Sequence, residues 1–324
     1  MCVNLDHMLL LDGGSTSIFN FLTEPEPEHS SPLLSRLWTA SYSQSSPAAV
    51  QNWHKSYLRA GSDIITTNTY QIPPVSYYPD IDIPGVMQSA VQAAESAVKE
   101  HRKGSVALSL GTRNSIVGKR EYDTAPLFSV DEYYRFHQER LQDYQKYLGE
   151  LPEEIKYLAF ETVSSFAEAD GILSLLATER HSIPIILQTK AWITFSVGDA
   201  SLSRMSNILS KLIENPNINC LWGVGFNCVG IDIVGDLARE LERMIRERNA
   251  NLWLVLYPDA GKFYEKTTAQ FTDKARQLEE EDVKNWASEI AEIGALNGGK
   301  VVLGGCCNTD DRFIAELAQI AGRI

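Results

Sequence analysis

The chain has 324 residues, 44% of them hydrophobic and 22% charged, which is the profile of a globular protein able to build one large core or two ordinary ones. Its formal net charge of -13 argues against a polyphosphate-binding surface, because nucleic-acid affinity depends on clustered Lys and Arg that release counterions. A small-molecule ligand remains, and neither a nucleic-acid nor a membrane partner is expected: no apolar run approaches the roughly 20 residues that span a bilayer, and Met1-Cys2-Val3-Asn4-Leu5-Asp6 has no basic n-region of a signal peptide.

Short β-rich runs recur along the chain, each followed by a loop and a helical pattern. The strands are expected at Met8–Asp12, Asp63–Thr69, Ser105–Leu110, Tyr157–Thr162, Ala191–Ser196, Leu221–Cys228, Leu252–Tyr257 and Val301–Gly305. Between them the expected helices are Ala48–Ala60, Val86–His101, Val130–Leu148, Phe166–Arg180, Leu202–Glu214, Ile231–Asn249 and Glu279–Gly294, with Asp311–Ala321 after the last strand. Val50, Trp53 and Tyr57 mark the apolar face of the first helix, and Phe313, Ile314, Leu317, Ile320 and Ala321 that of the last.

Strand-helix alternation implies a parallel sheet with helices on its faces. Eight such units close into a (β/α)8 TIM barrel, an α/β fold that would take residues 1–324 as a single domain. An open doubly wound sheet would show about six units and a glycine-rich turn after its first strand; Leu11-Asp12-Gly13-Gly14-Ser15 is not that fingerprint. Loops after helices are mostly short, whereas several of those after strands are long: Phe21–Pro47, Gln71–Gly85, Gly111–Phe128 and Asp259–Gln277. This loads the C-terminal end of the barrel, where such folds build active sites. Leu33, Leu34, Leu37, Trp38 and Tyr42 suggest that the first long loop packs.

Five cysteines, Cys2, Cys220, Cys228, Cys306 and Cys307, do not make a disulfide scaffold, and their odd number fits a reducing compartment, with the cytoplasm as the expected location. Cys220 begins an apolar run and reads as a small buried hydrophobe; Cys2 reads as incidental. Cys228 closes Gly223-Val224-Gly225-Phe226-Asn227-Cys228, and Cys306-Cys307 follow Val301-Val302-Leu303-Gly304-Gly305. On neighbouring parallel strands, these ends would bring three thiols together. Three sulfurs with a vacant fourth position describe a catalytic zinc site, since structural zinc sites fill all four positions with protein ligands. Gly304-Gly305 would let the chain bend so that adjacent cysteines, which point to opposite faces of a strand, reach one ion. Three thiolates make a poor water-activating centre but keep a bound thiol nucleophilic, which points to alkyl transfer to a thiol. If the metal leaves, Cys306 and Cys307, or either with Cys228, could oxidise to a disulfide.

Asp12 and Glu161 also end strands on that side. A buried acid is costly unless paired, and a substrate ammonium would be a suitable partner; a helix N-cap for Asp12 or a structural salt bridge for Glu161 are the alternatives.

The segments Leu11-Asp12-Gly13-Gly14, Ala60–Gln71, Phe160-Glu161-Thr162, Gly225-Phe226-Asn227-Cys228, Leu256–Gly261 and Gly304-Gly305-Cys306-Cys307 together resemble the homocysteine S-methyltransferase family, zinc-thiolate enzymes that methylate homocysteine to methionine. The resemblance implies the same (β/α)8 barrel and zinc on Cys228, Cys306 and Cys307. It further implies that Asp12, the Gly13 backbone and Glu161 hold the amino-acid end of homocysteine. The branch without cobalamin or folate domains implies a sulfonium donor, S-methylmethionine or S-adenosylmethionine, and Trp38, Tyr42 or Trp192 could face that cation. This chain departs from the family at Leu110-Gly111-Thr112-Arg113-Asn114, where Gly-Pro is usual, at Glu121–Pro126, and at the two apolar runs Ile183–Gln188 and Ala191–Ser196. Alternatives are methylation of selenocysteine or another thiol, and a non-catalytic zinc-binding or redox-sensing barrel.

Overall fold

Each β-rich run pairs with strands that run the same way because the amphipathic helix after it carries the chain back to the same end of the sheet. The computed structural model describes residues 8–22, 36–118, 126–197, 202–260, 264–265, 270–271 and 278–323. The strands of its main sheet are β1 (Leu9–Leu10), β2 (Ile64–Thr66), β3 (Ser105–Gly111), β4 (Ile155–Val163), β5 (Lys190–Phe195), β6 (Gly223–Gly230), β7 (Trp253–Asp259) and β8 (Val301–Leu303), and Tyr264–Glu265 pairs antiparallel with Gln270–Phe271 outside it. The helices that cover them are α1 (Pro47–Arg59), α2 (Ile83–His101), α3 (Val130–Leu148), α4 (Phe166–Thr178), α5 (Leu202–Glu214), α6 (Ile231–Glu247), α7 (Glu280–Ile293) and α8 (Asp311–Ile320). Among the described residues no helix is long and apolar enough to cross a membrane.

The eight strands pair in parallel from β2 through β7 in chain order, then β7 with β8 and β8 with β1. A single parallel bridge, Leu11 to Ile64, joins β1 to β2 and completes the barrel, helped by the Asp63 N–H donating to the Leu10 carbonyl at 2.7 Å. Inside the barrel, Leu11, Ile64, Ala107, Ala159, Trp192, Val255, Tyr257 and Val302 pack together. A Cβ on Gly225 would collide with the Val255 carbonyl, and one on Gly223 would press on the Val255 side chain and lie 3.4 Å from Trp192 Cβ. The larger apolar layer lies between the strands and the helices.

Helix starts follow local chemistry. Pro47 opens α1, where the missing N–H costs nothing. Ser129 and Glu132 form a reciprocal capping box on α3, and Ser165 accepts from the Glu168 N–H at the start of α4. Several expected strands prove shorter. β1 ends before Asp12 because that carboxylate, rather than a strand partner, takes the Thr66 N–H at 2.7 Å. β2 stops at Thr66 because the Thr69 N–H turns back onto the Thr67 carbonyl at 2.8 Å. Of the two apolar runs near β5, Pro184–Gln188 is a short helix and only the second is a strand. Cys220 is half-buried in a turn and packs against the main core. In the first long loop Leu37 and Tyr42 are buried, whereas Leu33, Leu34, Cys2 and residues 121–125 lie outside the described residues.

His54 on α1 is fully buried with both ring nitrogens lacking a partner among the described residues, and burial pushes its pKa down to about 3. The unfolded chain therefore binds a proton that the folded chain refuses. Above the unfolded value near 6.5 this difference costs no stability, and the protein loses stability as pH falls from there toward 3. His54→Leu should gain about 1–3 kcal/mol at neutral pH by removing two unsatisfied polar atoms. Its advantage should grow by ~1.4 kcal/mol per pH unit below 6.5, as read by urea unfolding at pH 7 and pH 5; an equal or smaller advantage at pH 5 would refute this account.

Candidate metal and substrate site

Every strand of the barrel delivers its C-terminal end to one rim, and the polar residues that interrupt the apolar runs gather there. They line a cavity of about 230 Å³ whose walls include Asp12, Gly13, Thr66, Ser109, Glu161, Asn227, Tyr257 and all three of Cys228, Cys306 and Cys307.

The three cysteine sulfurs lie within 4.8 Å of one another. The sulfurs of Cys228 and Cys306, 78 residues apart in the chain, are in contact, with Cα atoms 5.6 Å apart, a separation that a disulfide can span, and the Cys228 and Cys307 sulfurs are 3.9 Å apart. Three tetrahedral thiolate ligands about 2.3 Å from one ion are about 3.8 Å from each other, a spacing that Cys228 and Cys307 already have, and the three sulfurs together are the donor set that zinc requires. No further group of three metal-ligating residues occurs among the described residues. Both cysteine-bearing turns are shaped by unusual backbone. Cys228 has φ 49°, a left-handed conformation rare outside glycine and asparagine, which turns its side chain at the end of β6. After β8, the Gly305 N–H donates to the Asp12 carbonyl at 2.9 Å and the Cys306 N–H to the Pro258 carbonyl at 2.9 Å, bending the chain across the barrel mouth.

The two acids line the same cavity. Asp12 is 1% exposed; Oδ2 accepts from the Thr66 N–H at 2.7 Å and its hydroxyl at 3.0 Å. Burial raises its pKa well above the usual carboxylate range, the Thr66 bonds pull it back, and Glu161 raises it again. Glu161 is pushed up to about 7 by burial, partly offset by the Ser109 and Tyr257 hydroxyls. Its Oε1 is buried without a partner among the described residues. Asp12 thus caps no helix and Glu161 makes no salt bridge there; both face the cavity, and a cation placed between them would favour their ionised forms. Gly13 is held close by its neighbours, since a Cβ there would sit 2.6 Å from the Tyr57 hydroxyl and 2.8 Å from the Thr309 carbonyl.

Asn227 joins the two halves. Its Oδ1 accepts from the Thr162 N–H at 2.8 Å, its Nδ2 donates to the Thr162 hydroxyl at 2.8 Å, and Nδ2 lies 4.0 Å from the Cys306 sulfur. Thr162, next to Glu161, is itself left-handed at φ 60°, and this two-point clamp compensates the strain. Thr66, Ser109, Asn227 and Tyr257 received no role from sequence reasoning. The signal that could have found them is a polar side chain at the C-terminal end of an otherwise apolar strand.

The unusual segment after β3 is anchored from below by a buried chain of polar groups. Glu168 at the start of α4 accepts from the Arg113 N–H at 2.8 Å and from the Thr112 hydroxyl, and it pairs with His137 Nε2 at 2.9 Å. Arg140 donates to His137 Nδ1 at 2.9 Å and to the Gly111 carbonyl at 2.9 Å. Because Arg140 donates to Nδ1, the proton of neutral His137 sits on Nε2, and burial first of all pushes its pKa down to about 4. The segment Gly111–Asn114 is thus held by buried bonds from Glu168 and Arg140. Of the three aromatics considered for the donor, Trp38 lines the cavity, Tyr42 packs against Phe19, and Trp192 is fully buried in the barrel interior beside Tyr157 and Trp222.

A sequence profile described as homocysteine S-methyltransferase matches residues 9–321. Homocysteine S-methyltransferase 1 of Arabidopsis thaliana is 26% identical over 330 residues, covering 96% of this chain and 92% of the relative. Homocysteine S-methyltransferase 1 of Saccharomyces cerevisiae is 25% identical over 292 residues, covering 83% and 80%. The crystal structure of the homocysteine methyltransferase MmuM from Escherichia coli in its metallated form shares the fold, with a TM-score of 0.69 at 21% identity over 98% of this chain and 96% of that one.

Proposed function

Because the chain belongs to the homocysteine S-methyltransferase family, whose members transfer a methyl group to homocysteine to give methionine, we propose that it does so with zinc on Cys228, Cys306 and Cys307 and with a sulfonium donor, S-methylmethionine or S-adenosylmethionine. The observation that carries this reading is the convergence of three cysteine sulfurs in one cavity with two buried carboxyls, one of which has an oxygen without a partner. We place the enzyme in the cytosol, where thiols stay reduced.

Asp12 and Glu161 bind the substrate ammonium, and the Gly13 backbone completes the amino-acid subsite. Zinc held by the three cysteines would lower the pKa of the homocysteine thiol so that it reacts as thiolate at neutral pH. The homocysteine sulfur forms a bond to the donor methyl carbon as the bond from that carbon to the sulfonium breaks, and the released electron pair stays on the donor sulfur. Thiolate and sulfonium become two neutral thioethers. The enclosing walls, with Trp38 among them, exclude water that would otherwise stabilise the charged reactants. The test is incubation with homocysteine and S-methylmethionine, S-adenosylmethionine or betaine, scored for methionine. Product from a sulfonium and none from betaine is expected; turnover with betaine alone overturns the donor assignment.

A disulfide between Cys228 and Cys306, whose Cα atoms are 5.6 Å apart, would use two of the three sulfurs assigned to zinc, so oxidation and metal binding compete for the same atoms. Peroxide should release zinc and abolish turnover together, and thiol reductant followed by zinc should restore both. Activity that persists after the zinc has left would show that the metal is not needed.

A further inference from the structure

We propose that Thr309 is a positioning residue whose hydroxyl ties the carbonyl of Cys306 to the Gly13-Gly14 turn, and thereby sets both the zinc affinity of the cysteine loop and the grip on the homocysteine amino group. The inference rests on the reading of Cys228, Cys306 and Cys307 as zinc ligands. Asn308, at φ 62°, turns the chain back after Cys307 and brings Thr309 beneath Cys306. There Thr309 is 1% exposed. Its hydroxyl donates to the Cys306 carbonyl at 2.6 Å and accepts from the Gly14 N–H at 3.0 Å, which uses its one proton and a lone pair in a fixed direction.

The same residue anchors both loops through its backbone. Its N–H donates to the Cys306 carbonyl at 3.2 Å, and its carbonyl accepts from the Gly14 N–H at 2.9 Å. That carbonyl also accepts from the Tyr57 hydroxyl at 3.0 Å, and Tyr57 is held in turn by Ser17 at 2.8 Å. The packing leaves no slack, since a Cβ on Gly14 would collide with the Cys306 carbonyl and one on Gly305 with the Thr309 hydroxyl. Groups that orient metal ligands without touching the metal typically govern affinity by about tenfold to a hundredfold. In this fold Thr309 meets that description and also touches the turn that bears Asp12 and Gly13.

The experiment compares Thr309→Val, which keeps the shape and removes the hydroxyl, with Thr309→Ser, which restores it. Zinc affinity is measured by chelator competition on the reduced protein, and homocysteine KM at saturating zinc. Thr309→Val should bind zinc about tenfold more weakly and raise homocysteine KM, with the donor KM unchanged, while Thr309→Ser stays close to the wild type. If Thr309→Val does not fold, Tyr57→Phe removes one bond to the Thr309 carbonyl and should weaken zinc about threefold, near 0.7 kcal/mol. Wild-type zinc affinity in a folded Thr309→Val protein, or in Tyr57→Phe where Thr309→Val does not fold, overturns the positioning role while the zinc reading stands. A wild-type protein that binds no zinc overturns that reading itself.

Discussion

Cys306→Ala should leave the barrel folded and remove zinc and turnover together. Wild-type protein, reduced and reloaded, should carry about one zinc per chain, and the variant much less than that. Loss of the metal removes the stabilised thiolate, a contribution of several kcal/mol, so turnover should fall about a thousandfold or more. The fold should survive because the core of a chain this long needs no metal as a staple, which circular dichroism and urea unfolding would register. Cys228→Ala and Cys307→Ala should behave alike. Cys220→Ala is the control, since Cys220 is half-buried in the turn Ile218–Cys220 and does not line the cavity. A Cys306→Ala protein with full zinc occupancy, or one that has lost its zinc yet turns over normally, would end the metal assignment.

Glu161→Gln should keep the shape, the zinc and the fold, and should lose the charge that, on the proposed reading, faces the substrate ammonium. Removing one partner of a buried charged hydrogen bond costs about 1.5–3 kcal/mol, or roughly a tenfold to hundredfold drop in kcat/KM for homocysteine. The donor KM should change less, because the sulfonium meets the thiol end of homocysteine rather than its amino group. A second readout is pH. With the Glu161 pKa pushed up to about 7 by burial, the free enzyme gains a proton there as pH falls below 7, and protonated Glu161 no longer attracts the ammonium. Wild-type kcat/KM for homocysteine should therefore decline on the acid side of pH 7, and in Glu161→Gln that limb should be reduced to the contribution of Asp12, whose pKa burial also raises. A variant with wild-type homocysteine kinetics and confirmed zinc would make Glu161 a structural residue.

The fold was legible because its signals are local. A run such as Tyr157–Thr162 carries its own strand propensity, and Val50, Trp53 and Tyr57 carry their own helical period, so eight alternating units could be counted without knowing where any of them lay. The ends were less legible. β1 and β2 stop where side chains of Asp12 and Thr67 compete for backbone groups, and such competition depends on neighbours that the local pattern does not contain. Pro184–Gln188, as apolar as a strand, became a helix, which a short apolar run cannot reveal by periodicity alone.

The sequence by itself determined the barrel, the three cysteines and the two acids, because chemically distinctive residues at the ends of parallel strands must share one rim. Only the tertiary structure decided which groups hold them there. Thr66 bonds Asp12 across 54 residues, Asn227 clamps Thr162 across 65, and Thr309 reaches Gly14 across 295. Each is a common polar residue, unremarkable in its own segment, whose role comes from the single neighbour that the closed barrel places within hydrogen-bond distance. That convergence depends on strand register and barrel closure, and these are set by packing across the whole chain.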